Sequence, residues 1–188
     1  MTNDIQQMEI VKAVKLFFAN YLDFSGRASR GEFWWAYLAY FIASILVSIV
    51  DAVLGGIVYG ITGSSLLLNS GFLVNILSLA TFIGWVSLTA RRLQDYGRTG
   101  WWQLGYLSVI PTTILWVSFA LAEGPALLLF LSIIFTLATI VLYILIFVWL
   151  ILPPTEDENR WGLNPLKYEN QKYENQNKTS TGADPKDW

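Results

Sequence analysis

The sequence predicts an all-α polytopic membrane protein, a bundle of four transmembrane helices with an N-terminal amphipathic helix. Three observations predict it. Hydrophobic residues make up 54% of the chain and charged residues only 14%, a balance poorer in charge than that of soluble domains. Four apolar stretches each reach the ~20 residues that a helix needs to cross a hydrocarbon core of ~30 Å. All twelve Lys and Arg residues avoid two of the connections between those stretches.

The first element is read over residues 1–22. Ile10, Val14, Phe17, Phe18 and Tyr21 recur at helical spacing, while Gln6, Glu9, Lys12 and Lys15 take other positions, the pattern of an interfacial amphipathic helix. Such a helix either covers the end of its own bundle or offers a membrane anchor or partner groove. Asp4 and Glu9, without a basic segment or a small-residue cleavage site, argue against a removable signal peptide.

A four-span membrane domain is expected over residues 23–165, with spans at 33–58, 66–89, 101–122 and 126–152. Backbone groups in hydrocarbon must be satisfied internally, which restricts these stretches to helices. The first connection holds Tyr59, Gly60, Thr62, Gly63 and Ser64, and the third Glu123, Gly124 and Pro125. Both are rich in helix breakers and imply antiparallel neighbours. Lys12, Lys15, Arg27 and Arg30 precede the first span, Arg91, Arg92 and Arg98 lie between the second and third, and Arg160, Lys167, Lys172, Lys178 and Lys186 follow the fourth. Because basic loops are retained in the cytoplasm, both termini are expected there. Residues 166–188 read as a polar, disordered cytoplasmic tail containing the tandem repeat Lys167-Tyr168-Glu169-Asn170-Gln171 and Lys172-Tyr173-Glu174-Asn175-Gln176.

The chain has no Cys and no His, which removes thiolate nucleophiles, imidazole bases and the usual zinc, haem and copper ligands. No metal and no cofactor is expected, since phosphate-cradling and dinucleotide fingerprints are missing as well. A net charge of −2 gives no general attraction to nucleic acid. The partner implied throughout is the lipid bilayer.

Three polar motifs share the basic end. Asp23 to Trp34 opens the first span, with Ser29 and Glu32 at capping-box spacing. Ala90 to Trp102 joins spans two and three, where Asp95 stands three and four residues beyond Arg92 and Arg91, close enough for helical ion pairs. Glu158 to Pro165 follows span four. The ordered set Phe24-Ser25-Gly26-Arg27 through Trp34, Arg91-Arg92-Leu93-x-Asp95 through Gly100-Trp101-Trp102, and Asn159-Arg160-Trp161-Gly162-x-Asn164-Pro165 resembles the signatures of the YhaH-like bacterial inner-membrane family, catalogued as domain of unknown function 805. The third motif departs by carrying Trp161 where the family usually has Tyr or Phe. The resemblance spans residues 21–165 and implies a bacterial plasma-membrane protein. It supplies no activity and no catalytic residues.

Asp23, Arg27, Arg30, Glu32, Arg91, Arg92, Asp95 and Arg160 form a candidate charged cluster, flanked by the interfacial aromatics Trp34, Trp35, Trp101, Trp102 and Trp161. The cluster reads either as a structural clamp or as a site for anionic lipid headgroups, because arginine forks take carboxylate and phosphate alike. Within the spans, Asp51 is placed near the boundary opposite the basic end. Ser44, Ser48, Ala52, Gly56 and Gly60 form a ridge suited to close helix packing, Ser132, Thr136, Thr139 and Tyr143 a polar seam. Pro111 is expected to kink span three beside Thr112 and Thr113. The leading functional expectation is a noncatalytic scaffold or interaction module, acting on a membrane-protein partner or as a homo-oligomer. A small oligomeric transporter or channel is the alternative, and a lipid-acting enzyme the third reading.

Overall fold

A computed structural model describes residues 10–64, 71–122, 124–168, 170, 171 and 175. The first nine residues of the expected amphipathic helix, part of the connection between the first two spans, and most of the tail repeat lie outside them. Helix α1 spans Ile10–Ala19, α2 Arg30–Thr62, α3 Phe72–Asp95, α4 Val109–Leu121 and α5 Ala126–Ile151. A 3-10 segment, Gly100–Ser108, leads directly into α4, and a two-stranded hairpin of β1 (Glu158–Asn159) and β2 (Gly162–Leu163) follows α5. In that hairpin Glu158 pairs with Leu163 and Asn159 with Gly162 in antiparallel register. Among the described residues four helices are long and apolar enough to cross a membrane: α2, α3, the continuous stretch Gly100–Leu121, and α5.

The architecture is two helical hairpins joined at one end. In the first, α2 and α3 pack together and α1 lies across both. Phe17 and Ala13 of α1 are buried, with the Phe17 ring 5.2 Å from Trp85. The approach depends on Gly84, where an added Cβ would fall 2.5 Å from Phe17 Cζ and 2.7 Å from Tyr21 Cδ2. Tyr21 then fixes the exit of α1 by donating to the Ala80 carbonyl at 2.6 Å. In the second hairpin, three of the four residues of the expected polar seam of α5 are spent on α4 and the 3-10 segment, Ser132 bonding instead to the Leu128 carbonyl of its own helix. Thr139 meets Thr112 at 3.0 Å, Thr136 accepts from Trp116 Nε1 at 2.9 Å, and Tyr143 donates to the Tyr106 carbonyl at 2.7 Å.

Helix α2 begins at Arg30 because Ser29 Oγ accepts from the Glu32 amide at 3.1 Å. Its 33 residues rise about 50 Å at ~1.5 Å each, longer than the hydrocarbon core, so the helix tilts or projects beyond it. Helix α3 runs past the expected end at residue 89 to Asp95, since Arg91 and Arg92 are buried among partners rather than left at a boundary. The far end of this pair is held by Asp51. Its two carboxylate oxygens accept from the amides of Leu73 and Val74, both at 3.0 Å, capping α3 from the neighbouring helix where Gly71 supplies no side-chain cap.

Two expectations are corrected. Among the described residues the ridge on α2 meets no other helix: Ser48, Ala52, Gly56 and Gly60 are exposed. Ser44 and Ser48 turn their hydroxyls onto the Phe41 and Ser44 carbonyls of their own helix, so no interhelical bond draws that face inward. Pro111 lies just beyond the change from 3-10 to α geometry at Ser108, the preceding turn being the one that its ring and missing amide hydrogen disturb. The tail, expected without regular structure from residue 166, opens on helical backbone over 165–168. Asn164 Oδ1 accepts from the Leu166 amide at 3.1 Å, with Pro165 as the first helical residue.

Candidate functional site

The last turn of α3 places Arg91 and Arg92 next to each other in sequence and therefore ~100° apart around the helix. They reach different neighbours. Arg92 donates through Nε to the Leu150 carbonyl at 2.9 Å and through Nη2 to the Leu152 carbonyl, satisfying acceptors left open where α5 ends. Its Nη1 pairs with Asp95 Oδ2. Arg91 instead pairs through Nη1 with Glu32 Oε1 of α2 at 2.8 Å.

Asp95 is shared. Its other oxygen accepts from Arg27 Nε at 2.8 Å, and the rest of the Arg27 fork donates to the Gly162 and Glu156 carbonyls, each at 3.0 Å. The Arg27 loop is stitched to α3 by Ala28 N–H donating to the Arg91 carbonyl at 3.2 Å and by Gln94 Nε2 donating to the Phe24 carbonyl at 3.0 Å. Asn159 Nδ2 closes the circuit by donating to the Gln94 carbonyl at 2.9 Å. One network thus ties the loop before α2, the end of α3, the end of α5 and the β-hairpin.

Arg92 is fully buried and Asp95 is 1% exposed, so the network works in a low dielectric, where paired charges attract strongly and unpaired ones are costly. Three guanidinium groups meet two carboxylates, and the surplus positive charge faces carbonyl oxygens, including those at the negative end of the α5 dipole. Arg91 Nε and Nη2 and Gln94 Oε1 are buried without a hydrogen-bond partner among the described residues. Both carboxylates of the network are committed to guanidinium partners.

The structure therefore brings Arg27, Glu32, Arg91, Arg92 and Asp95 into one buried clamp and leaves Asp23, Arg30 and Arg160 exposed around it. Asp23 Oδ1 accepts from Ser25 Oγ at 2.6 Å and from the Ser25 amide at 2.9 Å. The two Ser25 bonds, hydroxyl first, hold its carboxyl below the ordinary aspartate range; slight burial opposes them and the Arg91 charge adds to them. Among the aromatics, Trp34 is half-buried with its ring 6.0 Å from Phe147 of α5. Trp35 and Trp101 are exposed, Trp102 meets the buried Trp149 edge-on at 5.1 Å, and Trp161 is half-buried with the Arg160 guanidinium 3.9 Å above its ring.

Sequence reasoning missed Arg98 as a member of this end. Its guanidinium lies 4.8 Å over Trp149, and it shares an open polar cleft of about 460 Å³ with Tyr96, Glu156, Asn159, Arg160 and Trp161. A second groove of about 430 Å³ lies against the same Arg160 and Trp161 and is lined mainly by apolar side chains, among them Phe24, Val86, Trp101 and Leu104. No local spacing signals this placement, because the ring beneath Arg98 belongs to Trp149 of α5. Among the described residues no group of acidic side chains is arranged to hold a metal ion.

Residues 21–163 match the profile of a family described as Protein of unknown function (DUF805), so the match covers the whole clamp and all four long helices. The chain is similar to Inner membrane protein YhaH of Escherichia coli (strain K12), 33% identical over 88 residues, which cover 47% of this chain and 66% of YhaH, just under two thirds of that protein's length. It is also similar to Inner membrane protein YhaI of the same organism, 30% identical over 107 residues, 57% of this chain and 80% of YhaI. No solved structure matches. With the family profile covering most of the chain and four apolar helices bearing it, this polytopic helical membrane protein belongs to the DUF805 family.

Proposed function

We propose that the protein is a noncatalytic interaction module of the bacterial inner membrane, with both termini in the cytoplasm and its working face at the clamped end. The inner-membrane location follows the names of its relatives, and the orientation follows the confinement of Lys and Arg to one side of the spans. The observation that carries the noncatalytic reading is the commitment of Glu32 and Asp95 to Arg91, Arg92 and Arg27 within a buried network. General acid–base work needs a group within reach of a substrate proton, and these two carboxylates are turned inward to structural partners. Transport finds little support in the polar seam of α5, where Thr136, Thr139 and Tyr143 bond to α4 and the 3-10 segment and Ser132 to the Leu128 carbonyl of its own helix.

The test is photocrosslinking in native membranes from exposed positions at this end, Arg30 and Arg160, with Leu79 on the apolar flank of α3 as control. The reading expects discrete protein or lipid adducts from the first two that the control does not give. Solute flux in proteoliposomes, or chemical turnover of a membrane lipid by the purified chain, would replace it. Orientation is tested separately with reporters at Gly63 and at Asn175: labelling of Gly63 from the cytoplasm would reverse the assignment.

A further inference from the structure

We infer that the cleft between Arg98 and Arg160 binds the phosphate of an anionic phospholipid, whose acyl chain lies in the apolar groove on the other side of Trp161. This deepens the reading of the clamped end as an interaction face and rests on it.

The arginines of this end divide into two kinds. Arg27, Arg91 and Arg92 are buried and each pairs with a carboxylate. Arg98 and Arg160 make no ion pair among the described residues, and each lies over a tryptophan ring, at 4.8 Å and 3.9 Å. Stacking engages the face of a guanidinium and leaves its in-plane N–H fork open, the geometry that takes phosphate in a bidentate manner. Both forks border one polar cleft of about 460 Å³. Among the described residues Glu156 is the single carboxylate bordering it, so two positive charges against one leave a surplus that matches a phosphodiester monoanion.

The second half of the ligand follows from the groove beside the cleft. Arg160 and Trp161 line both spaces, so a polar pocket and an apolar one meet at the same two side chains. The groove of about 430 Å³ presents Val86, Trp101 and Leu104, and Trp101 is 76% exposed, as an aromatic at the headgroup level of a bilayer is placed. A free phosphate would use the cleft and leave the groove empty. An amphiphile with a charged head and an apolar tail fills both, and the end of α5 at Ile151 sets them where the hydrocarbon gives way to water.

The experiment is native mass spectrometry of the full chain in detergent, titrated with phosphatidylglycerol and, as the uncharged-net comparison, phosphatidylcholine. The wild-type chain is expected to retain phosphatidylglycerol preferentially. Arg98→Gln and Arg160→Gln are each expected to lower that retention about fivefold, the effect of one basic residue at an anionic surface, with the melting temperature monitored to confirm folding. Glu156→Gln removes the opposing charge without touching the backbone carbonyl that Arg27 uses, and is expected to strengthen retention. Wild-type selectivity in the double arginine variant, or weaker phosphatidylglycerol binding in Glu156→Gln, overturns the inference. Full displacement of the lipid by inorganic phosphate assigns the cleft to a soluble phosphate and overturns the lipid. Protein adducts in the crosslinking experiment above, alongside unselective lipid binding, would leave the interaction reading standing while this inference falls.

Discussion

At Arg92 each arm of the guanidinium fork meets an acceptor that would otherwise have none: two carbonyls at the end of α5 and one oxygen of Asp95. Truncation to alanine therefore leaves two carbonyls and one oxygen of the buried Asp95 without their donors at once, with Arg27 still holding the other oxygen. Arg92→Ala is expected to cost about 3–5 kcal/mol, the usual penalty for removing one partner of a buried pair, read as a large fall in detergent melting temperature. Arg92→Lys should recover only part of it, because an ammonium cannot serve three acceptors spread across a planar fork. Asp23 offers a milder test. Its carboxyl titrates low because the Ser25 hydroxyl and amide donate to the ionised form, so Ser25→Ala should move it upward, measured by carboxyl NMR. Since the folded-state value is depressed, the contribution of these bonds is present above the unfolded aspartate pKa and lost as pH falls through the folded one. In the sequence the i,i+3 spacing of Arg92 and Asp95 was visible. That Arg91 turns instead to Glu32, and that Arg27 closes on Asp95 from 68 positions away, was not, because helical periodicity separates two adjacent arginines without naming their distant partners.

Among the elements, α1 is seated on α3 by the absence of a side chain at Gly84. Gly84→Ala would place a Cβ within 2.5 Å of the Phe17 ring, and overpacking of this kind costs about 1–3 kcal/mol. The expected result is a loosened α1, seen as faster proteolysis after Ala19 and a changed Trp85 fluorescence, with the four long helices still inserted. The α4–α5 contact should respond more weakly. Thr136→Val removes the acceptor of Trp116 Nε1, and interhelical hydrogen bonds in membranes average about 0.6 kcal/mol, so a small drop in melting temperature is expected. The hydropathy pattern made the apolar helices legible, and the 4, 3 and 4 residue steps of Ser132, Thr136, Thr139 and Tyr143 made the seam legible too. The α2 ridge of Gly56 and Gly60 misled because small residues permit close approach without specifying a neighbour. Asp51 was readable as a boundary acid, but its role at the α3 N-terminus depends on which helix lies opposite, and that is a property of the packing.

Across the whole molecule, the two hairpins have separate internal bonds and a shared end. Tyr40 meets Ser78 at 3.0 Å and Asp51 caps α3 within the first hairpin; Thr112 meets Thr139 within the second. What joins the hairpins is concentrated at the clamp: Arg92 on the end of α5, Arg27 on the segment beyond it, Trp34 against Phe147, and the close passage of Gly100, where an added Cβ would sit 2.6 Å from Ala90 Cβ. Charge patterning had already gathered these segments at one end, yet it could not distinguish a surface rich in arginine from a buried junction, since the difference lies in desolvation and carbonyl partners that no linear pattern records. The junction leads to a prediction about how the molecule comes apart. Asp95→Asn removes the shared counter-charge that orients Arg27 and Arg92 toward the second hairpin, while the Tyr40–Ser78, Asp51 and Thr112–Thr139 bonds farther along each hairpin persist. Helical content by circular dichroism should then stay close to wild type, cysteine crosslinks engineered at Tyr40–Ser78 and Thr112–Thr139 should still form, and a crosslink engineered between Trp34 and Phe147 should be lost. Simultaneous loss of all three crosslinks would mean that the hairpins depend on the clamp for their own stability, contrary to the division argued from their bonds.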